Sequence, residues 1–264
     1  MHTLRRFGQI SAAYTLLGGA FLLVQAQQPL NLDRLLSQIE VNTERYSATV
    51  PSFICNEHIV SQELHEGKIK RETSVDAIFS VARSASNANT LEESREVKRI
   101  NGTPADSKKL NLPLSFSGGF SGALTKFLSS EHRSCFEYAT DTATPSPEGT
   151  VTFTFVVKAN AAKELTCASI QPGTTGKFAV DTATMQVTHI ERTVPNPIGK
   201  DQTVLGTAAI EYAPVIFNGK PFWLPSTITA FTTETAKTSS VRFTAHYSDY
   251  HRFASTATIL PIDR

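Results

Sequence analysis

Residues 151–157 read VTFTFVV and residues 241–248 read VRFTAHYS. In the first, Val151, Phe153, Phe155 and Val157 alternate with Thr152, Thr154 and Val156. In the second, Val241, Phe243, Ala245 and Tyr247 alternate with Arg242, Thr244, His246 and Ser248. A period of two sends alternate side chains to opposite faces of a strand, so both segments predict antiparallel strands with one apolar and one wet face. Phe178 and Val180, alternating with Lys177 and Asp181, repeat the pattern. Turn signals stand between these runs at Pro145–Gly149, Gln171–Gly176 and Pro195–Gly199, and Asn218-Gly219 joins VIF to FWLP as a hairpin. From Ser134 onward the chain reads as successive strands in an up-and-down arrangement, not as alternating strands and helices.

Toward the N-terminus the same reading continues. Phe53–Leu64 and Lys68–Val81 are two strands joined at Glu66-Gly67, residues 82–90 are a loop, and Leu91–Ile100 is a charged strand ending at Asn101-Gly102. Asn101-Gly102-Thr103 matches a glycosylation sequon and is read here as a turn. Asn31–Tyr46 is a helix: Leu32, Leu35, Leu36 and Ile39 recur at helical spacing behind Asn31 as N-cap. Phe120, Leu124, Phe127 and Leu128 fall at i, i+4, i+7 and i+8, one face of a helix of about three turns. The expected fold class is α+β, mostly antiparallel β: a curved sheet, an unclosed half-barrel, packed on an N-terminal helix and a short internal helix.

The first 26 residues predict a cleavable export signal. Arg5 and Arg6 precede an apolar stretch, Ile10–Val24, and Val24-Gln25-Ala26 suits signal-peptidase cleavage after Ala26. The stretch has 15 residues, against ~20 for a spanning helix, so a membrane anchor is the weaker reading. No Cys stands at the cut, and no later stretch is apolar enough to span. The 264-residue chain has a formal charge of +1; without the signal it carries 23 basic and 24 acidic side chains, a net of −1. That excludes a basic nucleic-acid footprint, and 40% hydrophobic residues exclude a disordered chain. Residues 27–264 read as a single domain in the periplasm or outside the cell. Cys55, Cys135 and Cys167 then meet oxidising conditions. Any of the three pairings is open, as are three buried thiols. Cys135–Cys167 is favoured because both fall in strand-like segments of one antiparallel run.

Motifs for chemistry are sparse. Gly119-Phe120-Ser121-Gly122-Ala123 approaches a nucleophile elbow but lacks its last glycine and a preceding strand, so a helix start explains it better. His58, His65, His132, His189, His246 and His251 show no zinc spacing and are read as surface histidines. No phosphate loop and no Cys-x-x-Cys occurs, so neither cofactor nor metal is expected. Glu92-Glu93 is read as a solvated strand edge, since adjacent strand residues face opposite ways.

Three runs carry a resemblance: GKFAVDTATMQVTHIER (176–192), AAIEYAPVIFNGKPFWLP (208–225) and FTAHYSDYHRF (243–253). They resemble the middle hairpin, late hairpin and closing strand of half-barrel proteins related to outer-membrane lipoprotein carriers. The whole chain after the signal, including VPSFICNEHIV (50–60) and SGGFSGALTKFL (117–128), resembles an uncharacterised family of secreted bacterial proteins. The resemblance implies an unclosed barrel wrapped around helices and, in some relatives, a groove for acyl chains. It brings no catalytic residue. The carriers are smaller, which makes residues 51–110 an elaboration.

The expected protein is exported, non-enzymatic and part of the cell envelope, binding a lipid or acyl chain between sheet and helices. Phe120, Leu124, Phe127 and Leu128 would line the groove from the helix, and Phe153, Phe155, Trp223 and Phe243 from the sheet. Apolar burial of ~0.8 kcal/mol per CH₂ needs no polar partner. The alternative is a protein–protein interaction or structural module of the envelope with a filled core, recruiting through a sheet edge or Leu91–Ile100.

Overall fold

The computed structural model describes residues 31–84, 90–143, 145–197, 203–234 and 238–253. The expected signal, residues 1–26, lies outside them, as do most of the 82–90 loop and the end of the Pro195–Gly199 turn. Helix α1 (Leu32–Thr49) opens the described chain, with Asn31 Oδ1 accepting from the Arg34 N–H as its cap. Strands β1 (Phe53–His65), β2 (Lys68–Arg83), β3 (Leu91–Ile100) and the two-residue β4 (Thr103–Pro104) follow. A long insert then carries helix α2 (Ala123–Leu128). Strands β5 (Phe136–Thr140), β6 (Thr150–Val157), β7 (Thr175–Asp181), β8 (Gln186–Pro197), β9 (Thr203–Phe217), β10 (Lys220–Glu234) and β11 (Ser239–Arg252) complete it.

All these strands form one 11-stranded sheet in the order β4-β3-β2-β1-β11-β10-β9-β8-β7-β6-β5. Every neighbouring pair is antiparallel, including β1 with β11, which joins the two halves of the chain from Phe53↔Arg252 to His65↔Ser239. Three hairpins turn through paired residues of positive φ, Glu66-Gly67, Asn101-Gly102 and Asn218-Gly219, the backbone that matches strand twist in a two-residue connection.

The sheet curls. Phe120 meets Phe79 of β2 at 5.1 Å, while Phe127 meets Phe155 of β6 at 5.2 Å. In a flat sheet those strands, seven positions apart in the order, would stand roughly 34 Å from each other at ~4.8 Å per strand. The chain from Phe120 to Phe127 winds into helix α2 at ~1.5 Å per residue, too short to bridge that distance even with the ring contacts added. The sheet therefore closes around the insert without meeting itself, β4 and β5 being its two ends. The concave side collects the apolar phase of each strand, with Phe53, Ile59, Phe178, Ile228 and Phe243 all nearly inaccessible.

Two readings need correction in detail. The internal helix is six residues, not three turns: Ala123–Leu128, followed by a 3-10 turn, Ser130–Cys135. Gly118, Gly119 and Gly122 lower helix propensity there, and the N–H groups of Gly118, Phe120 and Ser121 are taken by a side chain instead. Cys135 and Cys167 are bonded, with Cα atoms 5.7 Å apart, but they end 3-10 turns, Ser130–Cys135 and Leu165–Cys167, rather than lying in strands. Cys55 is free and buried.

Candidate functional site

The concave face and the insert across it, residues 110–131, form the candidate site. The insert adds no strand to the sheet and sits on it through side chains. Phe120 packs against Phe53, Phe79 and Tyr247. Phe116 faces Phe243 at 6.4 Å, and Phe127 stacks on Phe155 and contacts Phe136. Gly119 lets the insert come close: a Cβ there would stand 2.4 Å from Ile228 Cδ1 and force that side chain to shift. On the sheet side Gly176 plays the same part, because the Phe155 ring lies over it, 2.3 Å from where a Cβ would be.

Hydrogen bonds fix the front of the insert. The Glu93 carboxylate accepts from Gly118 N–H (2.8 Å), Phe120 N–H (2.9 Å) and Ser121 N–H (2.7 Å). Glu93 is thus half-buried and bonded, while Glu92 is exposed; the reading of both as a solvated edge holds for Glu92 alone. Ser61 Oγ donates to Leu114 C=O and accepts from its N–H. Tyr46 of α1 donates to Phe120 C=O at 3.0 Å, and Tyr138 of β5 to Phe127 C=O at 2.5 Å.

Beneath this front end lies a polar cluster that the sequence reading did not find. The Glu57 side chain, fully inaccessible, is paired with Arg95 and accepts from Tyr247 Oη at 2.9 Å. Burial, reinforced by Glu57, raises the Tyr247 hydroxyl well above its ordinary pKa. Burial likewise pushes the neighbouring Cys55 thiol up to about 12, so that thiol stays protonated and unreactive at neutral pH. The available signal was phase: Glu57 shares the inward register of Phe53, Cys55 and Ile59, and Arg95 shares that of Leu91 and Val97.

Of the residues expected to line a groove, Phe120, Leu124, Phe127, Leu128, Phe153, Phe155 and Phe243 are buried. Trp223 is partly buried and shares a crevice with Leu124 and Met185. Phe153 instead stacks on Phe178 at 5.1 Å. Among the described residues, two crevices of about 10 Å³ lie along the insert, one beside Trp223 and one beside Phe116, Phe127 and Arg192. Each has room for about one water. Two polar groups face this side. Tyr212 Oη is buried without a hydrogen bond. The Arg192 guanidinium stands 5.5 Å over the Phe127 ring, its pKa lowered by burial.

A larger, polar cleft of about 720 Å³ opens between α1 and α2, lined by residues including Glu44, Thr125, Lys126, Ser129 and His132. Ser129 Oγ lies 3.2 Å from His132 Nδ1, which also faces Thr125 C=O at 3.4 Å. With the proton on Nδ1 the ring donates to both oxygens; in the other tautomer the Ser129 hydroxyl donates to Nδ1. Ser121 meets Glu93 through its backbone, and no histidine is bonded to it among the described residues. Among those residues no group of three or more His, Cys, Asp and Glu is placed to hold a metal ion, and no helix is long and apolar enough to cross a membrane.

The sequence matches no protein-family model and none of the curated proteins. Among solved structures, the chain is similar to a DUF1329 family protein from Desulfovibrio piger, with a TM-score of 0.45 and 10% identity over 85% of this chain and 94% of that one. It is similar also to a LolA superfamily protein from Nitrosomonas europaea, with a TM-score of 0.37 and 10% identity over 84% of this chain and 94% of that one.

Proposed function

We propose that the chain is a non-enzymatic binding protein of the cell envelope that takes a lipid or acyl chain onto the concave face of its half-barrel. Export by cleavage after Ala26, leaving residues 27–264 as one domain, belongs to the same proposal. The Cys135–Cys167 bond supports it, because such bonds persist in oxidising compartments.

One observation carries the reading. The side chains that fill the concave face, Phe116, Phe120, Leu124 and Phe127, are supplied by a segment that is paired with no strand. It can leave the sheet without breaking a ladder, and an acyl chain can replace its apolar contacts at ~25 cal/mol per Å². Arg192, over the Phe127 ring, and Tyr212, whose hydroxyl has no hydrogen-bond partner among the described residues, supply the few polar contacts that orient a ligand in an apolar site.

The test is native mass spectrometry of the exported protein, followed by titration with a fluorescent fatty acid. A bound acyl chain is expected, with tighter binding in Glu93→Gln, where the front of the insert is released. Absence of binding in both proteins overturns the reading. The two crevices of about 10 Å³ favour a second reading, a filled-core module that recruits an envelope protein. That reading expects no lipid in either protein and one partner protein recovered in fixed stoichiometry.

A further inference from the structure

The convex face carries a row of polar side chains, in register, that the binding proposal does not use. On adjacent central strands His58 of β1 stands directly opposite His246 of β11. Beyond them Asp76 of β2 is opposite His58, and Thr227 of β10 is opposite His246. Both histidines are exposed, and each ring is oriented by its outer neighbour. His58 Nδ1 is 2.8 Å from Asp76 Oδ1, and His246 Nδ1 is 3.2 Å from Thr227 Oγ1. Asp76 is itself held by Arg99 Nε at 2.9 Å on its other oxygen.

These bonds settle the chemistry of the seam. A carboxylate only accepts, so His58 carries a proton on Nδ1 toward Asp76, and Nε2 is the nitrogen left for a metal ion to take. His246 adopts the same tautomer when Thr227 accepts. The two nitrogens of an imidazole face nearly opposite ways. With both Nδ1 atoms turned outward, toward β2 and β10, the two Nε2 atoms turn inward over the β1–β11 seam. Opposed Cβ atoms on neighbouring strands are ~4.5–5.5 Å apart, and a metal ion sits ~2.0–2.1 Å from each ligating nitrogen. The spacing suits one ion bridging the two rings. A histidine whose other nitrogen is bonded to a carboxylate is the arrangement that makes imidazole a better ligand and fixes its direction.

We propose that His58 and His246 form a two-histidine site for a nitrogen-preferring divalent transition-metal ion of the copper–nickel–zinc group, bound at Nε2 of each ring. Asp76 positions His58, and Thr227 positions His246. With no third protein ligand among the described residues, the other coordination positions are open to water or to an external ligand. The sequence hid the pair because 188 positions separate the two histidines; only the closing of β11 onto β1 joins them.

Cu²⁺ is the probe, added to the full exported chain without a histidine tag. Binding of one Cu²⁺ is expected, with electron paramagnetic resonance showing hyperfine coupling to two imidazole nitrogens. His58→Ala and His246→Ala should each abolish the two-nitrogen pattern and weaken binding at least ~10-fold. Asp76→Asn should keep the pattern and weaken binding ~10–100-fold. His189→Ala, on β8 in the same row, should change neither. Circular dichroism confirms that these exposed substitutions leave the fold intact. A two-nitrogen signal that survives either histidine variant overturns the site, as does wild-type affinity no better than that of the double variant.

Discussion

The two ends of the concave face are built from different chemistry. On the side of β1, β2, β3 and β11 the interior is directional: Glu57 with Arg95 and Tyr247, and Glu93 holding three backbone N–H groups of the insert. On the side of β5, β6 and β7 it is a stack of rings, with Phe127, Phe136, Tyr138, Phe153, Phe155 and Phe178 in mutual contact. The first side specifies where the insert lies, because hydrogen bonds to fixed atoms have one geometry. The second supplies area and tolerates change of shape. A ligand that displaces the insert therefore gains most on the aromatic side, where the Tyr138 hydroxyl bond to Phe127 C=O is the one to break, and has the three Glu93 bonds to break on the polar side.

The sharpest way to break this contrast is to compare changes on its two sides. Glu57→Ala leaves the Arg95 guanidinium buried without its counter-charge and should cost ~3–5 kcal/mol in denaturant unfolding. Replacing both partners, Glu57→Leu with Arg95→Leu, should recover much of that loss, since desolvated ion pairs are often matched by apolar packing. Phe155→Leu on the other side should cost only ~1–2 kcal/mol, as its neighbours readjust. Equal losses at Glu57 and Phe155 would remove the distinction between a directional and an adaptable side.

The disulfide is the aromatic side's own constraint. It clips the turn before β5 to the turn before β7 across a separation of 32 residues. Chain-entropy reasoning gives ~3–4 kcal/mol for a loop of that size. Cys135→Ser with Cys167→Ser should lower stability by about this much and loosen the ring stack first, read as loss of the near-ultraviolet aromatic signal. Next in size is Glu93→Gln. A carboxylate bonded to backbone N–H groups contributes ~1.5–3 kcal/mol per net bond at most. The variant should lose ~2 kcal/mol overall, and hydrogen exchange should speed up at residues 117–122 and stay slow at Phe127. Uniform acceleration along the insert would show that its two ends are not separately held.

The contrast also explains what the sequence disclosed. Period-two alternation is set by burial on one face, so residues 151–157 and 241–248 announced their strands, and Glu66-Gly67, Asn101-Gly102 and Asn218-Gly219 their turns. The aromatic side of the site was legible for the same reason: Phe127 and Phe155 are large, apolar and in phase. The polar side was not. Glu57 and Arg95 lie in the inward phase of two strands that look charged and wet, and only the β1–β2–β3 pairing brings them together. Glu93 looked like half of a solvated pair because its partners are backbone groups, which carry no sequence signature. The helix boundary failed at Gly118–Gly122 because a distant carboxylate, not local periodicity, decided where those N–H groups went.

The smallest expected effect is electrostatic and sits where α1 meets the disulfide turn. Glu40 is raised from its ordinary value of 4.5, first by burial and then by Glu44, against the opposing pull of Arg133. Its Oε1 is 3.2 Å from Arg133 Nε but lacks the alignment of a hydrogen bond, which is why burial wins over the ion pair. A carboxyl raised in the folded state favours folding when protonated. That contribution is complete below the unfolded value and is lost as pH rises through the folded one. Glu40→Gln mimics the protonated form at every pH. It should therefore raise the unfolding midpoint slightly at pH 7 and leave it unchanged below pH 4.5. A loss of stability at pH 7 would mean that the Arg133 pair outweighs desolvation. The aromatic side would then be pinned to α1 by charge as well as by packing.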